Sequence, residues 1–175
     1  MSDASVVFYE GYIRNRKKLC AELCVADSPD RGQAKRAALL AGYARWGRDV
    51  VHHLYGSFAF ALREAGGRLF CARDHFGIKT FYYSLLPDGR LLCATDISKI
   101  AADAGYRKAI DPDALQLYMM FGYPAGEATL FRGIRKLMPG CALTWDAGVC
   151  KVEQYTTAPP FTRNTACAKG TGSTG

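Results

Sequence analysis

Runs of alternating or continuous apolar residues dominate the middle of the chain. SFAFALRE (57–64) and RLFCARD (68–74) stand on either side of Ala65-Gly66-Gly67, which predicts a short hairpin. FYYSLL (81–86) and RLLCATD (90–96) flank Pro87-Asp88-Gly89, a turn in which proline presets φ and glycine accepts a positive one. CALTWD (141–146) and VCKVEQY (149–155) pair across Ala147-Gly148. A shorter strand, VVFYEG (6–11), is predicted to end at Gly11.

Helical spacing fills the gaps. Residues Asn15 to Leu23 form one predicted helix, with Asn15 as its N-cap. The strongest runs from Gln33 to Trp46: Leu39, Leu40, Tyr43 and Trp46 recur every three or four residues, and Gly47 stops it. ADSPDRG (26–32) before it reads as a loop. ISKIAADA (97–104) is helical, and in DPDALQLYMMFG (111–122) Asp111 caps, Pro112 takes the first helical position and Gly122 terminates. Beyond Tyr155 periodicity is lost, and Thr, Gly, Ala and Pro dominate, as in a linker or tail.

Composition narrows the class. With 175 residues, 49% of them hydrophobic, the chain can bury a substantial core. No apolar run approaches the length of a membrane-spanning helix, and the N-terminus lacks the features of a signal peptide, so no membrane role and a cytoplasmic setting are expected. Seven cysteines, an odd and scattered set, argue for buried thiols rather than a disulfide framework. Cys20 and Cys24 can share a helix face, but nothing else stands at zinc-binding spacing, so no metal is expected. The net charge of +7 is dispersed over small groups without a recognition motif, which argues against a nucleic-acid partner.

One connection is too rich to be an ordinary turn. CARDHFGIKTFYY (71–83) sets Arg73, Asp74 and His75 before Gly77, with Lys79 and three aromatic rings after Phe76. Gly77 permits a sharp corner, and Arg73 and Asp74 can pair with each other or with nearby backbone. His75 is a candidate base, but no nucleophile is visible beside it, and the corner is read as structural.

That corner, with LLAGYARWG, LYGSFAFAL, ATDISKI and FGYPAGEATLFRGIRKLMPGCALT (121–144), resembles the glutaminase domain of the asparagine synthetase family, a class II glutamine amidotransferase. RDHFGIK is similar to that family's RDxFGxKPLYY. The resemblance covers residues 6–161 and implies an α+β fold, the N-terminal-nucleophile-type αββα sandwich, here incomplete at its N-terminus. It places the domain at 1–161, with 162–175 a disordered tail or the start of a linker to a missing synthetase domain. Asn15, Arg73, Asp74, Gly77 and Lys79 then belong to the structural family motif.

The same resemblance exposes departures. Hydrolysing members attack glutamine with an N-terminal cysteine. They stabilise the oxyanion with the Asn and Gly of an Asn-Gly-Glu motif, whose Glu holds the substrate amine. Keeping Gly11, Asn15 and Leu19 in register puts Glu10 at the Asn position and Tyr12 at the Glu position; a further amine-binding aspartate falls on Lys35. Glu10, Gly11, Tyr12 and Lys35 are therefore degenerate glutamine-site positions, and no catalytic residue is assigned. Ser2 is formally an N-terminal nucleophile, and Met1 is read as an internal methionine of a longer gene.

VEQYTTAPPF is similar to the family's exit towards its ATP-dependent domain, whose SGGxDS loop GTGSTG does not supply. ATP and Mg are thus expected only for that missing domain, with no cofactor on this chain. The expected partner is a synthetase domain or partner chain, with a peptide or amino-acid substrate in the full enzyme. Three functions follow. One is a non-hydrolysing amidotransferase-like domain of an amide-forming enzyme, as in lasso-peptide cyclases and β-lactam synthetase relatives. The others are an N-terminally truncated glutaminase domain and a stand-alone docking module. Glu10, Tyr12 and Lys35 favour the first.

Overall fold

The strand at the centre of the molecule explains its layering. In the computed structural model, which describes residues 4–25, 30–124 and 126–156, β2 spans Gly56–Arg63 and is buried from Ser57 to Leu62. Its alternation sends Phe58, Phe60 and Leu62 to one face and Ala59 and Ala61 to the other. The large face meets helices, and the small face lets a second sheet approach.

Around β2, five strands assemble in the order β1-β2-β3-β7-β8, every neighbouring pair antiparallel. They are β1 (Ser5–Ile13), β3 (Leu69–Arg73), β7 (Cys141–Asp146) and β8 (Val149–Gln154) with β2. The second sheet, order β5-β4-β6, contains β4 (Tyr82–Leu85), β5 (Leu91–Ala94) and β6 (Arg135–Lys136).

Helices α1 (Arg16–Glu22), α2 (Arg31–Trp46) and the single turn α3 (Val50–His53) lie on the first sheet. There Leu19, Leu39, Tyr43, Val50 and Val51 pack on Phe58, Phe60 and Phe70. Between the sheets, Ala59, Ala61, Cys71 and Leu143 face Phe81, Tyr83 and Leu137. Beyond the second sheet, Leu86 and Ala94 pack with Ile100 and Ala101 of α4 (Ile97–Ala101), Tyr106 and Ile134. The order is helix, sheet, sheet, helix, as the sequence led us to expect. A last helix, α5 (Pro112–Phe121), is anchored at its start by the Ile110–Phe131 bridge and by Asp111 N–H donating to Leu130 O (2.9 Å).

Several local expectations are corrected. β1 does not end at Gly11 but runs on to Ile13, because Gly11 at φ +113° draws the strand against β2, where a Cβ would stand 2.0 Å from Ser57 O. Asn15 caps no helix with its side chain. Its Nδ2 donates to His53 O (2.9 Å) and its Oδ1 accepts from Tyr55 N (3.0 Å), so it ties α1 to the approach of β2. α2 starts at Arg31 rather than Gln33, since Asp30 accepts from Gly32 N and Gln33 N. Cys20 and Cys24 share no face: Cys20 is buried in α1, while Cys24 lies past its end at φ +53° and is exposed. α3 and β6, too short to show a period, were not expected. The loop positions 26–29, Ser2 and the tail 157–175 lie outside the described residues.

The Gly11 contact makes a sharp prediction. Gly11→Ala should cost upwards of about 3 kcal/mol, because the added methyl drives into the Ser57 carbonyl and parts β1 from β2. Tyr12→Ala, at a half-exposed position beside it, should stay within about 1 kcal/mol. Urea midpoints of the two variants check this.

Candidate functional site

The corner between the sheets is built from side chains. β3 ends at Arg73, whose guanidinium donates to three carbonyls: Nε to Lys79 O (2.6 Å), Nη1 to Leu137 O (2.6 Å) and Nη2 to Gly77 O (2.7 Å). Burial pulls its pKa down, opposed by Asp74, and the group stays charged.

Asp74 is fully buried. Its Oδ1 accepts from Phe76 N (3.0 Å) and Ile78 N (3.1 Å), and its Oδ2 from Lys79 N (3.0 Å). Of the two pairings open at the sequence level, both side chains take the backbone. Gly77 sits at φ +64°, where a Cβ would meet Pro139 Cγ at 2.6 Å.

His75 packs edge-on against Tyr155, with ring centroids 5.2 Å apart, and Tyr155 Oη donates to Arg73 O (2.6 Å). Burial lowers the His75 pKa, Asp74 raises it and His52 lowers it further. Its packed neighbour is the Tyr155 ring, whose hydroxyl is committed to Arg73 O.

Lys79 leads from the corner to the site. Its ammonium meets Glu10 Oε1 at 3.0 Å, joining the second sheet's entrance to β1. A side-chain hydrogen bond from Thr95, then the one from Lys79, hold the Glu10 carboxyl below its ordinary pKa, so Glu10 is ionised at neutral pH. Phe8, Cys93 and Lys99 line the same open hollow of about 280 Å³.

Lys35 reaches back from α2, and its Nζ donates to Gly11 O (2.7 Å). With Tyr12, Ile13, Arg14, Arg16 and Lys17 it lines a second hollow of about 400 Å³. The structure thus gathers Glu10, Gly11, Tyr12, Lys35 and Lys79 around one end of β1, while Asn15 holds the adjoining helix. Thr95, Lys99, Arg14 and Lys17 were missed by the sequence reading. Their proximity is made by sheet packing and leaves no local pattern. Among the described residues no group of three or more His, Cys, Asp or Glu side chains could hold a metal ion.

Two antiparallel sheets enclosed by helices and joined at this corner form a four-layer αββα sandwich. The Bacillus subtilis glutamine phosphoribosylpyrophosphate amidotransferase, solved with ADP and GMP, superposes with a TM-score of 0.57 over 89% of this chain and 30% of its own, at 14% identity. That likeness speaks for the fold alone. The profile of the glutamine amidotransferase domain matches residues 1–156, and the chain belongs to that family.

A Mycobacterium tuberculosis protein named "Putative asparagine synthetase (glutamine-hydrolyzing)" is 37% identical over 150 residues, 79% of this chain. Asparagine synthetase (glutamine-hydrolyzing) 3 of Bacillus subtilis is 30% identical over 155 residues, 87% of this chain. The chain spans 22% and 25% of the lengths of these two relatives.

Two measurements probe the site. Asp74→Ala takes the acceptor from three part-buried amides and empties a fully buried side-chain site, and should cost about 2–3 kcal/mol, read by denaturant unfolding. Lys79→Met should raise the Glu10 carboxyl pKa in an NMR titration while costing under about 1 kcal/mol, since the pair is partly exposed. The sign follows from linkage: a depressed carboxyl pKa adds stability above the unfolded value of 4.5, lost as pH falls through the lower folded value.

Proposed function

We propose that this chain is the amidotransferase-like domain of an ATP-dependent, amide-forming enzyme of the asparagine synthetase type, and that it does not itself hydrolyse glutamine. One observation carries the second half. Glu10, ionised and paired with Lys79, flanks Gly11, and the Lys35 ammonium is bonded to the Gly11 carbonyl. An oxyanion forming beside Gly11 would face a fixed carboxylate, and oxyanion catalysis needs donors there. The amine of a bound glutamine would meet the Lys35 ammonium, a like charge, while Tyr12 offers no negative charge to hold it.

The first half is supported by the relatives, whose names are those of asparagine synthetases and of which this domain is a minor part. In that setting the domain's role is structural and docking. ATP and Mg act in the carboxylate-activating domain, no cofactor is needed on this chain, and the enzyme works in the cytoplasm. The product is either asparagine or an amide within a peptide, as in lasso-peptide cyclases.

The relatives' names also include glutamine hydrolysis, which supports the competing reading of a glutaminase domain. Incubation with glutamine separates the two. We expect no ammonia above a buffer blank and no shift of the Gly11 amide resonance on adding glutamine. Ammonia release abolished by Ser2→Ala, with a saturable Gly11 shift, would establish the glutaminase instead.

A further inference from the structure

The surroundings of α5 do not match its composition. Asp113, in the first turn, is the one charged residue of Pro112–Phe121. Ala114 is buried, but Leu115 is 41% exposed, Tyr118 40%, Met119 77%, Met120 66% and Phe121 59%, followed by Tyr123 at 64%. Ile110, just before the helix, is 53% exposed. Apart from Asp113, Gln116 and the Tyr118 hydroxyl its side chains are apolar, and a helix this apolar is stable when most of its surface is covered.

At roughly 200 Å² per large side chain, these residues leave on the order of 800 Å² of apolar surface in water. Even half of that total, on one side of the helix, would rank with the roughly 300–600 Å² of the largest patch on a typical monomer. The total matches the approximately 800 Å² that one partner contributes to a standard interface.

Two further observations say what covers it. Lys136 Nζ donates to Pro124 O (3.3 Å), just past α5, and four residues later Gly140 O accepts from Tyr155 N (2.9 Å) and Thr156 N (3.4 Å). By chain reach, the last described residues, Tyr155 and Thr156, lie within roughly 30 Å of Pro124, just past the end of α5. Residues 157–175 contain one large apolar side chain, Phe161, too little to cover such a face. The relatives, by contrast, carry three quarters or more of their length outside the matched region.

We propose that the outward face of α5, from Leu115 to Tyr123, is the docking surface for the carboxylate-activating domain. The fitting partner is a folded body presenting an apolar, largely uncharged surface. This rests on the preceding reading that such a domain works with this one. Met119 and Met120 suit the role, since unbranched thioethers repack against an irregular partner.

The same two methionines report on it. Residues 1–156 are placed in the full-length Mycobacterium tuberculosis relative in exchange for its matching segment. Oxidation of Met119 and Met120 by dilute hydrogen peroxide is then followed by mass spectrometry, alongside the isolated 175-residue chain. We expect oxidation roughly tenfold slower in the chimera, because susceptibility follows exposure. In the isolated chain the rate should not change over roughly a hundredfold dilution. A Met119→Lys/Met120→Glu variant of the chimera should expose the junction to limited proteolysis while leaving the circular dichroism of the isolated chain unchanged.

Equal oxidation rates in chimera and isolated chain overturn the proposal. So does slow oxidation in the isolated chain at every dilution, which means that the chain covers its own helix. Protection that disappears on dilution assigns the face to a second copy and overturns it as well. ATP–pyrophosphate exchange by the chimera separates the two failures. Exchange with unprotected methionines removes the docking face and leaves the functional reading standing, whereas no exchange with unprotected methionines counts against both.

Discussion

The molecule depends on one buried device: the Arg73 guanidinium and Asp74 carboxylate that take over the hydrogen bonding of the corner between the sheets. Residues 74–80 pass from the end of β3 to the start of β4 without a ladder of their own, and dry backbone groups left unpaired there would be costly. Asp74 satisfies three N–H groups and Arg73 three carbonyls, including Leu137 from a distant segment. Asp74 O also accepts from Gly77 N and Gly140 N, and Arg73 O from Tyr155 Oη. One residue pair thus fixes the start of the second sheet, the approach to β7 and the position of Tyr155.

The candidate site inherits its geometry from that corner. Lys79 is held by its backbone at both N–H and carbonyl, and its side chain then falls on Glu10 across the gap between the sheets. On the other face of β1, α2 delivers Lys35 to Gly11. The strand end is therefore set between a fixed anion and a fixed cation. This electrostatic arrangement is the ground of the proposed non-hydrolysing role, and Glu10 and Lys35 each have a partner within the fold. Under the proposed reading, one chemistry is absent while the scaffold stays whole, and the bare apolar face of α5 fits the same account.

Much of this was legible in the sequence because it rests on local rules. The Phe/Ala alternation of β2, the Asp111-Pro112 start and Gly122 stop of α5, and the turns at Asp88-Gly89 and Ala147-Gly148 all act within a few residues. The corner's residue types marked it as structural, and register with the family motif singled out Glu10, Tyr12 and Lys35. What was misread had distant causes: Asn15 looked like a cap but bonds His53 and Tyr55, and Gly11 looked like a strand end but is a close contact with Ser57.

The sequence by itself determined the period of the longer elements, because side-chain alternation, caps and turn residues are short-range physics, and its resemblance to a known family implied the layered class. The tertiary structure alone decided which charges meet. Glu10 and Lys79 are far apart in the chain, as are Arg73 and Leu137, and no periodicity encodes such pairings. They arise when two sheets close on one another and the buried backbone of the corner takes the nearest charged groups able to satisfy it.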